Sequence, residues 1–415
     1  MSASPVTARL LDLTRLFSRA GRVLTGVDRV ELAYLNALVA EQTPSFGLLR
    51  TPLGFLLLDK AGMRGFGDQI EGRVRWGKAS RLSRIFGRLD PVQQRALTDL
   101  RGLAIARSPR TGLPRLLRKH LPENFAYLNV GHSNLNDRVI HAVKQVAGGQ
   151  VTVMVHDTIP LDFPQHQTAE TRARFQRMLK KVRAHGDLVL YNSRATRERA
   201  EQHMGAWGSL PNAMVAHLGV DIAAPAPGDL PRGLPPGKPY FVTVGTIEPR
   251  KNHALLLDIW ERLAKQMPPQ DVPHLVLCGS RGWLNQDLFL RIDRSAMLGA
   301  QLHEVAGLSD GAIAALLQGA AGALYPSVAE GFGLPPVEAA AMGVPVICAD
   351  LPVYREILQD IPVYASVKDS YLWQRSIMAL AGNTQRQAGR AAANGETRFK
   401  APTWEAHFNR VLKVT

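Results

Sequence analysis

The sequence predicts an α/β protein built from two doubly wound parallel-sheet domains, and three features carry that prediction. Short runs rich in Val, Leu and Ile recur along the chain, helical patterns fill the intervals between them, and a Pro/Gly-rich stretch divides the 415 residues into two halves with the same rhythm.

The strand candidates come first. They are 125–129 (FAYLN), 151–155 (VTVMV), 187–191 (DLVLY), 240–244 (YFVTV), 274–278 (HLVLC), 322–325 (GALY) and 344–348 (VPVIC). Most are near-continuous apolar runs rather than alternating ones, as strands of a parallel sheet covered on both faces should be. Helices follow several of them. After Asn252, read as an N-cap, Leu256, Ile259, Trp260 and Leu263 fall on one helical face. After Ser309, a second cap, comes AIAALLQGAA. A short helix fits Pro335 to Met342, with proline at its start and Gly343 just past its end. The longest charge-free apolar run, Gly311–Ala329, contains Gln318 and Pro326 and reads as helix, turn and strand rather than as a membrane span.

Residues 224–238 (APAPGDLPRGLPPGK) hold five prolines and three glycines, the composition of a linker. They set expected boundaries: an N-terminal domain over 1–223, the linker, a C-terminal domain over 239–400, and a last helix over 401–415 crossing back to the first domain, with Trp404 in its core.

Charge is unevenly distributed along this frame. The net charge is +15, and residues 1–225 supply 32 Lys and Arg against 18 Asp and Glu. Residues 60–119, read as a basic insertion, hold 15 against 4. Such a segment attracts an anionic partner: nucleic acid, acidic lipid or a phosphorylated substrate. The two cysteines, Cys278 and Cys348, lie in apolar runs; that excludes a disulfide framework and fits a reducing compartment. The N-terminus lacks the apolar core and small-residue cleavage site of a leader peptide.

Two stretches place chemistry at strand ends. In VGTIEPRKNHALLLDIW (244–260), a strand gives way at Gly245 to a turn and then a helix, so backbone N–H groups and the helix dipole can cradle a phosphate. Arg250 and Lys251 sit where a guanidinium fork and a point charge would meet a diphosphate; a plain loop with solvated charges fits the same residues. In YPSVAEGFGLPPVEAAAMGVPVICAD (325–350), Glu330 follows a strand and Glu338 lies in the next helix, with a GFG loop between them that admits close backbone approach. Two carboxylates so placed suit a polyhydroxylated ligand such as a sugar nucleotide, while a solvated loop acid and a dipole-stabilised helix carboxylate fit them as well.

The E-x7-E block from Glu330 to Glu338 resembles the signature of retaining glycosyltransferases of family 4, and the chain order TGVDR, VHDTIPLDFP, HLGVD, GTIEPRKN, CGSRGW is similar to that family's over nearly the whole length. The resemblance implies the GT-B architecture, two Rossmann-like domains facing across a cleft, and a transferase moving a sugar from GDP-mannose or a UDP-hexose to a polysaccharide, oligosaccharide or lipid-linked hydroxyl, as bacterial mannosyl- and glucosyltransferases of polysaccharide biosynthesis do. By the same resemblance, Glu330 binds the donor sugar's hydroxyls with the backbone of Gly331, Phe332, Gly333 and Leu334. Glu338 holds the ribose, and Lys251 and Arg250 neutralise the diphosphate beside Gly245 and Thr246. His303–Leu308 passes near the base. Gly26 lies near the phosphates and acceptor, His156 beside Asp157 faces the reacting sugar, and Ser193 lines the cleft. Thr246 stands where many members carry arginine, which leaves open whether Arg250 or Lys251 touches phosphate. Residues after Arg355-Glu356 and the whole of 60–119 match no part of the pattern.

No metal or other cofactor is expected: there is no D-x-D motif, and the His156-Asp157 pair has no third ligand at a useful spacing. Trp283 reads as a packing anchor. The expected location is the cytoplasm, peripheral on the inner membrane face, with 60–119 against an anionic surface or a lipid-diphosphate-linked acceptor. The competing readings are a basic nucleic-acid-binding protein, a silent sugar-nucleotide sensor and a nucleotide-sugar epimerase of the same fold.

Overall fold

The computed structural model describes residues 6–85, 89–234, 237, 239–387 and 399–415; linker positions 235, 236 and 238, and 388–398 of the expected second domain, lie outside them. The described chain forms two sheets. The first contains β1 (Ala8–Asp12), β2 (Ser45–Thr51), β3 (Gly54–Leu58), β4 (Ala106–Ser108), β5 (Phe125–Asn129), β6 (Gln150–Val155), β7 (Leu188–Tyr191) and β8 (Asn212–Val215), in the order β4-β3-β2-β1-β5-β6-β7-β8. The second contains β9 (Tyr240–Val244), β10 (His274–Cys278), β11 (Leu302–Val305), β12 (Gly322–Tyr325), β13 (Val346–Ala349) and β14 (Val363–Ala365), in the order β11-β10-β9-β12-β13-β14.

The seven expected strands all form, within one or two residues of their ends. The second sheet is wholly parallel. The first is not: β2 to β3 and β3 to β4 pair antiparallel, because β2 and β3 are joined by a tight hairpin rather than a helical crossover. Residues 60–119 are woven into this edge and do not stand apart from it. Helices Lys60–Ile70 and Pro91–Leu103 bury Met63, Phe66, Ala96, Leu97 and Leu100 in the core, and β4 extends the sheet.

Both sheets carry helices on both faces. One apolar cluster runs from Leu11, Leu128 and Met154 of the first sheet into Val242, Val276 and Cys348 of the second, and two further clusters fill the outer faces. Helix His253–Gln266 buries Leu256, Ile259, Trp260 and Leu263 as its periodicity predicts. Its N-cap differs from expectation: Asn252 adopts a left-handed φ of 54° and its side chain caps nothing. Ser309 does cap, accepting from the Ala312 N–H at 3.1 Å. The final helix, Trp404–Val411, packs on the first domain's elements. His407 Nε2 lies 2.8 Å from the Tyr34 hydroxyl, Trp404 is half-buried and stacks on Phe408, and Gly219 passes so close that a Cβ there would lie 2.2 Å from the Trp404 nitrogen.

The strand order fixes where a ligand can sit. In each sheet the crossovers reverse direction at one point, between β1 and β5 and between β9 and β12, and loops diverge there to open a crevice at the strands' carboxyl ends.

Candidate active site

A cavity of about 900 Å³ lies between the two crevices. From the second sheet it is lined by the loops that follow β9 and β12, the two strands at the switch point. These bring Glu330 against both cations. Its carboxylate accepts from Lys251 Nζ at 2.6 Å, Arg250 Nη1 at 2.8 Å and the Ser327 hydroxyl at 2.7 Å. Burial alone would raise the Glu330 pKa, but Lys251 and Arg250 outweigh it and hold the carboxyl down at about 2. Burial lowers the Lys251 pKa, and Arg250 adds to this by repulsion, while Glu330 opposes both. Arg250 also binds Glu248 at 2.7 Å, so two buried cations are shared between two carboxylates in one cluster.

Gly245 makes room for that cluster. Its φ of 138° is left-handed territory, and a Cβ there would stand 3.5 Å from Lys251 Cε and Nζ. Thr246 lines the cavity beside it. The Glu330–Leu334 stretch also faces the cavity, but its GFG loop is tightly seated rather than loose: Gly331 packs on the backbone of His156, and Gly333, at φ 86°, lies under Tyr354. Glu338, whose pKa burial raises against the pull of Arg29, binds Arg29 Nη1 at 3.1 Å. Arg29 also pairs with Asp310, tying helix Gly26–Ala40 to the second domain. Of His303–Leu308, Gly307 and Leu308 line the cavity, whereas His303 stacks on His274.

Gly26 starts helix Gly26–Ala40 and faces Leu334 across the cleft, 3.5 Å from where its Cβ would be. His156 and Asp157 line the cavity at the end of β6. The His156 Nε2 lies 2.6 Å from the Val130 carbonyl; burial, with His132 beside it, pushes the imidazole pKa down to about 3, so the ring is neutral. Burial raises the Asp157 pKa while Arg250 pulls it down.

Two expectations need correction. Ser193 does not line the cleft; it is fully buried and caps helix Arg194–Gly205 through the Thr196 N–H at 3.0 Å, and the neighbouring Asn192 faces the cavity instead. Ser193→Ala should therefore cost about 1 kcal/mol in a denaturant titration. Trp283 is not a packing anchor either: it is 44% exposed, lines the cavity, and reaches the His166 carbonyl with Nε1 at 3.4 Å.

Sequence reasoning missed Arg15 and Arg19. Both line the cavity, and their Nε atoms converge on the fully buried Asp28 at 2.6 and 3.1 Å. The TGVDR motif contains Asp28 and Arg29, but their arginine partners lie in the preceding helix, where spacing alone does not separate them from surface charges. Among the described residues, no cluster of three or more His, Cys, Asp or Glu is arranged to hold a metal.

Residues 231–370 match the family described as glycosyl transferases group 1. The serotype-specific mannosyltransferase WbdA of Escherichia coli is 29% identical over 229 residues, 51% of this chain and 27% of that protein. The O-antigen chain mannosyltransferase B of the same organism is 31% identical over 167 residues, 40% of this chain and 42% of that one. The chain thus spans about a quarter of WbdA's length. Among solved structures, Anabaena HepE in complex with UDP and glucose superimposes with a TM-score of 0.62 at 17% identity, covering 99% of this chain and 100% of that one. Residues 231–370 are thus similar to the group 1 glycosyl transferases, and the two facing α/β sheets have the GT-B fold.

Proposed function

We propose that the protein transfers a glycosyl group, with retention of anomeric configuration, from a nucleotide-activated sugar (GDP-mannose or a UDP-hexose) to a hydroxyl of a polysaccharide, oligosaccharide or lipid-linked acceptor. The observation that carries the reading is the Glu330–Lys251–Arg250 cluster at the second sheet's switch point, facing His156 and Asp157 across the cavity. The mannosyltransferase relatives and the UDP-bound structural neighbours support a sugar-diphosphonucleoside donor.

The chemistry follows from the charges. Breaking the bond between the anomeric carbon and the phosphate oxygen leaves an oxocarbenium-like sugar and a nucleoside diphosphate trianion, one negative charge more than the donor's diphosphate carried. Lys251 and Arg250 turn from Glu330 to the diphosphate, where fixed cations in a dry site stabilise developing negative charge. Glu330, ionised and released, accepts hydrogen bonds from the sugar hydroxyls. Glu338 exchanges Arg29 for the ribose. The acceptor hydroxyl attacks from the face the diphosphate leaves, its proton passing to the departing phosphate oxygen, so neutral His156 is not required as a base. Closure of the two domains excludes water.

In this mechanism the side-chain cations do what a bound divalent ion does elsewhere, so no metal cofactor is needed. Chelation with EDTA should leave transfer intact; full loss, restored by Mg²⁺ or Mn²⁺, would overturn that part. A thermal-shift panel of nucleotide sugars tests the donor, because a ligand bound only by the folded state raises its stability. Selective stabilisation by one nucleotide sugar and formation of a glycosylated product are expected; release of nucleoside diphosphate with no such product would favour hydrolysis or epimerisation. The free, buried Cys278 and Cys348 fit a reducing, cytoplasmic location.

A further inference from the structure

The basic stretch of the first domain has an exposed part with an unusual composition. Residues 72–85 (GRVRWGKASRLSRI) contain five Lys or Arg and no acid. Arg75, Lys78, Arg81 and Arg84 are exposed and form no ion pair among the described residues, whereas Arg73 is held by Asp68 and Glu71. Large aliphatic side chains stand between these cations in solvent: Val74 is 50% exposed, Leu82 41% and Ile85 75%. Singly such residues are ordinary, but three within twelve positions, interleaved with unpaired cations, form a patch.

This segment is firmly seated. Trp76 packs against Phe66, the Gly77 N–H donates to Asp99 at 2.8 Å, and the Ser80 N–H donates to Thr98 at 3.0 Å. The patch also lies within chain reach of the cleft. Ile85 precedes Asp90 by five residues, a span of at most about 18 Å. Asp90 binds Arg22 at 3.2 Å, and the next residue, Val23, is 65% exposed and lines the cavity rim.

We propose that residues 73–85 dock the protein on an anionic lipid bilayer, with Val74, Leu82 and Ile85 entering the headgroup layer and Arg75, Lys78, Arg81 and Arg84 meeting the lipid phosphates, so that the Val23 rim of the cleft faces the membrane. Interfacial binding requires this pairing of apolar insertion with cationic attraction. A single-stranded nucleic acid would call for exposed aromatic faces, and the one aromatic ring among the described residues of the patch, Trp76, is half-buried against Phe66; a duplex would leave the exposed Val74, Leu82 and Ile85 without a partner. The docking is independent of the transferase reading; its consequence, that the acceptor reaches the cleft from a lipid anchor, rests on that reading.

Vesicle flotation of the full chain tests the proposal. Wild-type protein should float with phosphatidylcholine vesicles containing about 30 mol% phosphatidylglycerol, remain behind with pure phosphatidylcholine, and detach at about 0.5 M salt. The variant R75Q/K78Q/R81Q/R84Q should lose at least about a hundredfold in partitioning, at roughly fivefold per cation. V74S/L82S/I85S should lose at least tenfold at constant charge. Both should unfold at the wild-type temperature and keep wild-type nucleotide-sugar binding in solution, which separates failure of the docking from failure of the donor assignment. Equal binding to neutral and anionic vesicles, binding to neither, or variants that float like wild type would overturn the proposal. So would tight, salt-sensitive binding of a duplex DNA or RNA probe with no vesicle binding.

Discussion

Lys251→Ala is expected to lower the turnover of glycosyl transfer by about 10²–10³-fold with little change in fold. Lys251 is the most enclosed cation of the cavity, 2.6 Å from Glu330 and beside the bare backbone of Gly245, where a leaving diphosphate would lie. Removing one preorganised group that meets charge developing in a transition state typically costs this much. The fold should survive because Glu330 keeps Arg250 and Ser327, so no buried charge is left alone. Steady-state kinetics with saturating donor read the effect in kcat, and Lys251→Arg should recover part of it. A Lys251→Ala enzyme within tenfold of wild type would remove Lys251 from the reacting centre.

The same cluster predicts a pH dependence. The Glu330 carboxyl is held at about 2 in the folded protein, against an ordinary value of 4.5. The unfolded state therefore binds the proton first as pH falls. The stability that ionised Glu330 contributes is fully present above about pH 4.5 and is lost between there and about pH 2. Glu330→Gln, which has nothing to protonate, should show a flatter stability profile in that window than wild type. Parallel profiles would mean that the cations do not hold the carboxylate as described. At the alkaline end, burial lowers the Lys251 pKa, so kcat/KM should begin to fall, as pH rises, at a lower pH than the deprotonation of a free lysine would give.

Much of this site is legible in local sequence because both of its loops follow strands that read unambiguously. YFVTV and GALY are apolar almost throughout, so the chain order alone puts Gly245, Arg250, Lys251 and Glu330 just past strand ends. What stays hidden depends on partners distant in the chain. Arg15 and Arg19 look like surface charges until Asp28, nine to thirteen residues on, is buried between them. Ser193 looks like a cleft residue until helix Arg194–Gly205 takes its hydroxyl as a cap. Strands β2 and β4 escape the pattern because SFGLLRT and ARS mix polar and apolar residues toward a sheet edge, where the parallel-core rule does not apply, and β3 pairs with both. Trp283 reads as core because an aromatic after a strand ordinarily is, and here the strand ends at the cavity.

Gly331→Ala should be as damaging as loss of Lys251, though it removes no functional group. A Cβ at Gly331 would stand 2.4 Å from the His156 carbonyl oxygen and 3.0 Å from Asp157 Cβ, and the first of these neighbours is backbone that cannot swing aside. The contact joins the loop after β12 to the end of β6, so relief must come from moving one half of the molecule against the other. That seam is otherwise well fastened. Thr196 donates to the Gly331 carbonyl at 3.1 Å, and the N–H groups of Arg194 and Ala195 donate to Glu356 at 2.7 and 3.0 Å. A displacement approaching 1 Å at a reacting centre costs about 10²-fold in rate. Transfer by Gly331→Ala should accordingly fall about a hundredfold, while circular dichroism and nucleotide affinity, which the proposed function assigns to second-domain groups, stay near wild type. Gly102→Ala is the control: it lies in helix Pro91–Leu103 with open space around it, and alanine there should stabilise by up to about 1 kcal/mol without touching activity. Wild-type turnover by Gly331→Ala would mean that the halves separate at this seam in the reacting state, and that the cleft works in a more open form than the one described.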